Sequence, residues 1–182
     1  TLALVFGWSP WVKGVDVAAE ALRLLHAQGD TQFILGIVCG REYTEERLRA
    51  YLSERAACAG DAPYLRFLPP TEDVFSYHKA SDILVSASRS ETFSYALLES
   101  ICTGRACVCS DIPGVRWAQP FDPVAFFPTE DAHALAAALA KTDAVRRTPA
   151  FSARLAASAK RARREYALDG WINGMLAVYG LL

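Results

Sequence analysis

The chain has almost no net charge, no long apolar run and no paired-cysteine pattern, and each absence closes a class of function. A formal charge of −1, from 19 Lys and Arg against 20 Asp and Glu, gives nucleic acid no whole-surface attraction to follow. No hydrophobic stretch approaches the ~20 residues that cross a bilayer, and no signal-like segment opens the chain. The five cysteines, Cys39, Cys58, Cys102, Cys107 and Cys109, are odd in number and fit no zinc spacing, which argues against a disulfide framework. They read as reduced thiols in or near the core and point to the cytoplasm. The first glycine-bearing turn, Gly7-Trp8-Ser9-Pro10-Trp11-Val12-Lys13-Gly14, is neither G-x-G-x-x-G nor a Walker loop, so the two common nucleotide-loop readings fail. Internal repeats, linkers and low-complexity tracts are also missing.

What is present is an alternation. Short apolar segments at 2–6, 33–39, 64–68, 83–86, 106–109 and 124–127 read as strands. Between them, helical spacing is predicted over 15–26, 44–58, 71–79, 95–103 and 130–141. In the first of these, Val15, Ala18, Ala19, Leu22 and Leu25 form one apolar face. Strands that alternate with helices imply right-handed crossovers and a parallel sheet covered on both faces. Near-continuous apolar strands agree with burial on both sides. The predicted fold is α/β, a Rossmann-like doubly wound parallel sheet of about six strands, in one domain over residues 1–182. Residues 1–142 carry the alternation. Residues 144–182 carry seven cations (Arg146, Arg147, Arg154, Lys160, Arg161, Arg163, Arg164) and are predicted as two helices broken near Asp169-Gly170. Trp171, Ile172, Met175 and Tyr179 mark an apolar face on the last.

In open parallel sheets ligands bind at the carboxyl ends of strands, where the amides of following helices point outward. Three strand-to-helix turns are therefore of interest. The first offers Gly7, Gly14 and Lys13, able to bring an ammonium and a helix N-terminus to an anion; a solvated loop lysine explains Lys13 as well. The second, Cys39-Gly40-Arg41, is a weak signal. The third follows the strand at 83–86 and reads SRSETFSYALLESICTG from Ser88 to Gly104. Thr92 and Ser94 are caps for the helix beginning near Tyr95, which leaves Glu91 at the helix mouth. Glu99 lies further in, among Ala, Leu, Ile and Cys. A carboxylate in such surroundings needs hydrogen-bond partners, since desolvation without one costs several kcal/mol. A vicinal diol of a ligand supplies two; a neighbouring Arg or Lys is the alternative. Together the two glutamates favour a polyol.

These residues resemble the C-terminal, donor-binding domain of family 4 (group 1) glycosyltransferases of GT-B fold. Glu91-Thr92-Phe93-Ser94-Tyr95-Ala96-Leu97-Leu98-Glu99 stands where that family has E-x7-E, often E-G-F-G-x-x-x-x-E. Gly104 through Gly114 is similar to its G-x-P-V-V-x-S-D-x-x-G segment, and Lys13-Gly14-Val15-Asp16 to its K-G-x-D signature. The resemblance implies that Glu99 binds the ribose hydroxyls of a nucleoside diphosphate sugar and Glu91 the hydroxyls of the transferred sugar. It implies that backbone at Gly7, Phe93, Ser94 and Tyr95 approaches the donor, and that Lys13 neutralises the leaving diphosphate. Lys13 and Glu91 are thus the candidate catalytic groups. The implied reaction is transfer with retention, with no metal and no cofactor beyond the donor itself. The implied partners are a nucleotide-sugar, a sugar or lipid-linked acceptor, and an N-terminal acceptor domain expected to precede Thr1.

The chain departs from the pattern at two places. Trp8 stands where the family usually has a phosphate-binding arginine, and Arg41, Arg89 and Arg105 are the candidates to compensate. Thr92 and Ser94 replace two glycines. Two other readings therefore stand beside the transferase: a non-catalytic binding or scaffold domain with a decayed site, and a GT-B sugar-nucleotide epimerase relative, which lacks the Lys-Gly and E-x7-E combination. The basic tail reads either as a solvated helix face or as a surface for anionic lipid at the inner face of a membrane, in keeping with cell-surface glycan or glycolipid synthesis.

Overall fold

The computed structural model describes residues 1–56 and 60–179; Cys58 and the side chain of Trp171, both singled out in the sequence, lie outside what is described. The elements run β1 (Leu2–Phe6), α1 (Val15–Ala27), β2 (Ile34–Val38), α2 (Glu45–Arg55), β3 (Leu65–Leu68), α3 (Val74–Ala80), β4 (Ile83–Ser86), α4 (Tyr95–Cys102), β5 (Ala106–Ser110), β6 (Val124–Phe127), α5 (Ala132–Arg146), α6 (Pro149–Glu165) and α7 (Leu168–Val178). A 3₁₀ segment, Pro113–Ala118, joins β5 to β6. The six strands form one parallel sheet in the order β3-β2-β1-β4-β5-β6. The fold is the doubly wound Rossmann-like sandwich that the alternation predicts. Its winding reverses between β1 and β4, and at that reversal the crossover loops part and leave a crevice.

Successive strand residues point to opposite faces, and both faces are buried. Ala3 and Val5 of β1 join Leu35, Ile37, Ile83, Val85 and Val108 beneath α1, α2 and α5. Leu4 and Phe6 join Leu84, Cys107 and Cys109 beneath α4 and the 3₁₀ segment. That division is why the strands read as unbroken apolar runs. Cys39, Cys107 and Cys109 are buried free thiols and Cys102 is partly buried; burial pushes the Cys107 thiol up to about 12.

The carboxyl-terminal helices divide differently from the sequence reading. The break falls at Tyr166-Ala167, not at Asp169-Gly170. Asp169 sits in the first turn of α7, where a carboxylate faces the positive end of the helix dipole. An interior glycine costs a helix only about 1 kcal/mol, too little to end it. Tyr166 instead ends α6 by turning its ring onto Trp117 and Phe121. α5 also runs on to Arg146, whose guanidinium holds Asp82 at 2.9 Å and Asp143 at 2.6 Å. Much of the basic tail is paired with acids: Arg154 with Asp122, and Arg161 with Glu165. Ile172 and Met175 of α7, and Tyr179 just after it, are exposed, so that apolar face has no full cover among the described residues. Among the described residues no helix is long and apolar enough to cross a membrane.

Candidate functional site

A cleft of about 270 Å³ opens at the reversal point, floored by Val5 and Phe6 of β1 and Leu84, Val85 and Ser86 of β4. Lys13, Glu91, Phe93, Ser94, Tyr95 and Glu99 all line it. The two glutamates therefore share one concavity, and the lysine comes to them from a different turn.

Two glycines and one arginine set this geometry. Gly14 has φ 62°, and a Cβ there would lie 2.0 Å from the Ala87 carbonyl oxygen. Only glycine lets the β1–α1 turn pack this closely on the loop after β4. The Arg89 amide donates to Val12 O at 2.8 Å, and its guanidinium grips Asp16 through two bonds of 3.0 and 2.8 Å while also reaching Trp11 O and Glu130. From the other side Gly114, at the 3₁₀ segment, lies against Glu91; a Cβ there would stand 1.8 Å from the Glu91 carbonyl oxygen. The loop that carries Glu91 is thus held at two close contacts, Gly14 against Ala87 and Gly114 against Glu91 itself. Its Oε1 accepts from Lys13 Nζ at 2.6 Å and from Ser88 Oγ at 2.9 Å. Lys13 is the more open partner, 28% exposed against 10% for Glu91.

The Arg89–Asp16 clamp carries a pH prediction. Burial raises the Asp16 carboxyl, but the hydrogen bonds and charge of Arg89 outweigh it and hold the group below the ordinary carboxylate range. Asp143 is lowered in the same way: Thr1 and Arg146 offset its burial. Both folded values lie below the unfolded ones. Ionised Asp16 and Asp143 therefore add stability above about pH 4, and that stability is lost as pH falls through the folded values. Thermal midpoints measured downward from pH 6 are expected to drop with a shallower slope in Asp16→Asn than in the parent; equal slopes would remove Asp16 from the clamp.

α4 begins at Ser94, which is buried and accepts the Leu97 amide on its hydroxyl, so of the two predicted caps Ser94 is the one used. Glu99 lies on the second turn. Its partner is neither arginine nor lysine but His78 of α3, whose Nε2 stands 3.3 Å from Oε2. A carboxylate only accepts, so Nε2 carries the hydrogen of this bond. His78 is fully buried against Phe6, while Glu99 keeps 29% of its side chain open. Sequence reasoning missed His78, because a lone histidine on a short helix carries no spacing signal. It missed also the aromatic group that holds Phe93: Trp117 stacks on its ring at 4.6 Å and Tyr95 meets it edge-on at 5.3 Å.

Gly7 is the one predicted site residue that does not line the cleft. Its amide donates to Val38 O at 2.8 Å, and a Cβ would meet that oxygen at 2.9 Å. The glycine is explained by close packing of β1 on β2. Trp8 lines the cleft in place of the missing cation, edge-on to Phe6 and resting over Gly40. Of the three arginines considered as substitutes, Arg89 is engaged by Asp16 and Glu130 and does not line the cleft. Arg105 is at the opposite end of the sheet, beside Ala106 where β5 begins. Arg41 is at the cleft's end of the sheet, in a depression that adjoins Trp8, and its long contact with Glu72 is 3.9 Å. Among the described residues no group of three or more His, Cys, Asp or Glu is gathered for a metal.

Residues 2–142 match the family model described as "Glycosyl transferases group 1". The chain belongs to that family. A D-inositol 3-phosphate glycosyltransferase of Salinispora tropica is 31% identical over 93% of this chain and 36% of the relative. The chain therefore spans about a third of the length of that relative. A glycosyltransferase from Rickettsia africae superposes with a TM-score of 0.83 at 19% identity, over 98% of this chain and 46% of that one. The Anabaena protein HepE, solved with UDP, superposes at 0.76 with 18% identity over 100% of this chain and 48% of its own. Family and fold both agree with the resemblance read from the motifs.

Proposed function

We propose that the chain is the donor-binding, C-terminal half of a retaining GT-B glycosyltransferase, and that its cleft takes a nucleoside diphosphate sugar. One observation carries this reading: Lys13, Glu91 and Glu99, from two separate turns, converge on the cleft at the sheet's reversal point. The UDP bound to HepE supports it by analogy of fold. Glu99 accepts hydrogen bonds from the ribose hydroxyls, with His78 holding its other oxygen in place. Glu91 contacts hydroxyls of the transferred sugar. The diphosphate lies between Lys13 and the first amides of α4, which have no partner inside a helix. Backbone at Phe93, Ser94 and Tyr95 approaches the donor, and the Ser94 hydroxyl, which accepts from Leu97, still has its own hydrogen to give.

The derived step is loss of the diphosphate. As the anomeric bond lengthens, charge grows on the leaving phosphate, and Lys13 moves from Glu91 to meet it. A preplaced ammonium and helix N-terminus stabilise that charge without a metal. Arg41, in the depression that adjoins Trp8, is the guanidinium that in this reading adds a second positive charge at the rim. The acceptor, a sugar or lipid-linked glycan, is held in this reading by an N-terminal domain that closes over the cleft, as part of cell-surface glycan or glycolipid synthesis on the cytoplasmic side of the membrane. The isolated 182-residue chain is accordingly expected to bind donor weakly and to transfer nothing.

A screen of the intact protein against UDP-, GDP- and ADP-sugars, scoring nucleotide release, tests the reading. Release from one donor, lost in Glu91→Ala, is the expected result. Absence of both release and calorimetric binding for every donor would leave a scaffold domain as the better description.

A further inference from the structure

The opposite end of the sheet holds a second polar cavity, of about 450 Å³, that the donor cleft does not use. It opens where β4 and β5 begin, at Asp82 and Ala106, one strand length from the cleft, or roughly 13 Å at ~3.3 Å per residue. Arg105, Arg146 and Arg163 line it. Arg146 is matched by Asp82 and Asp143. Among the described residues Arg163 donates only to the Cys102 carbonyl, at 2.8 Å. Arg105 has no carboxylate partner among the described residues, and its Nε is closed off from solvent with no hydrogen-bond acceptor. A charged donor left without an acceptor is costly, so this guanidinium is uncompensated where it stands.

We infer that this cavity binds the phosphate group of a phosphate ester. Arg105, Arg146 and Arg163 against Asp82 and Asp143 leave the cavity with surplus positive charge, and the two guanidinium groups without acids, one preceding β5 and one on α6, offer N–H donors from two sides, which the several oxygens of a phosphate engage better than the two of a carboxylate. Ser152 adds a hydroxyl at the same wall, and Leu155, Ala156 and Ala159 of α6 give an apolar side for the ester's organic part. Arg163 of the tail thus faces the cavity, while Arg154 and Arg161 hold the helix in place through Asp122 and Glu165. The same chemistry serves a soluble phosphate ester or an anionic lipid headgroup. The inference does not depend on the donor reading, since no residue is shared between the two cavities.

The test is a titration of the full chain with inorganic phosphate at fixed ionic strength, followed by the amide resonances of Gly104, Arg105 and Ser152. These are expected to shift with saturation, and to do so equally in a Lys13→Ala background, which removes the candidate phosphate contact of the cleft. Arg105→Gln and Arg163→Gln are each expected to weaken binding about tenfold or more. Should Arg105→Gln fail to fold, Arg163→Gln and Ser152→Ala, on the exposed side of α6, carry the test. Sedimentation with phosphatidylcholine vesicles, with and without phosphatidic acid, separates the sources. Retention on the acidic vesicles that Arg163→Gln abolishes assigns a lipid headgroup; phosphate saturation without retention assigns a soluble ester. Shifts absent in both arms, or indifferent to both arginine substitutions, overturn the inference.

Discussion

Alanine at position 13 is expected to slow sugar transfer by the intact enzyme roughly 10²–10³-fold, the usual effect of deleting one preplaced donor at a site of developing charge. Lys13 is bonded to Glu91 at 2.6 Å. The two candidate catalytic groups thus hold one another in position. Loss of the ammonium leaves the Glu91 carboxylate with Ser88 Oγ as its remaining partner. The cost to folding is small, about 1 kcal/mol, because Lys13 is partly open to water and exposed pairs contribute little. Rate and stability therefore separate. Steady-state nucleotide release together with a thermal midpoint reads both, and Lys13→Arg is expected to recover part of the rate. An unchanged rate in Lys13→Ala would remove the lysine from the leaving-group site.

The second large effect lies in two glycines. Gly14→Ala places a methyl group 2.0 Å from the Ala87 carbonyl oxygen at a backbone of φ 62°. The left-handed conformation costs about 1–2 kcal/mol, and displacing the neighbouring loop adds about 1–3 more. For a chain of this size that lowers the thermal midpoint by about 6 °C or more. Gly114→Ala acts on the same loop from the far side, pressing the Glu91 carbonyl at 1.8 Å. There the larger loss is expected in donor affinity, since moving the loop moves Glu91. Gly170→Ala, whose added carbon meets nothing within 4 Å, is the control and is expected to leave the midpoint level or slightly raised. Equal midpoints for Gly14→Ala and Gly170→Ala would contradict the close packing.

The sheet was legible in the sequence because strands buried on both faces have no polar residue to blur them, as in Leu2–Phe6 and Ile34–Val38. Glu91 and Glu99 were legible as a pair because they lie on one stretch of chain. Less accessible was whatever depends on contact between distant turns. Lys13 and Glu91 are 78 positions apart, and nothing local in either turn announces the bond. Gly114 reads as a turn glycine, yet its missing side chain is required by Glu91's backbone. His78 as partner of Glu99 depends on how α3 leans on α4, which packing alone decides. Gly7 carries a reason that its turn does not announce, the close approach to Val38 of the neighbouring strand. The 3₁₀ segment at Pro113–Ala118 was hidden because six residues are too few to show a period.

Binding of the nucleoside diphosphate selected by the donor screen, compared with its 2′-deoxy counterpart in the parent and in Glu99→Ala, tests the assignment of Glu99 most directly. A carboxylate that holds the ribose makes the parent lose about tenfold or more in affinity without the hydroxyl, and makes Glu99→Ala bind both ligands alike. If the hydroxyl matters equally to both proteins, the ribose rests on some other group and the placement of the donor in this cleft is wrong.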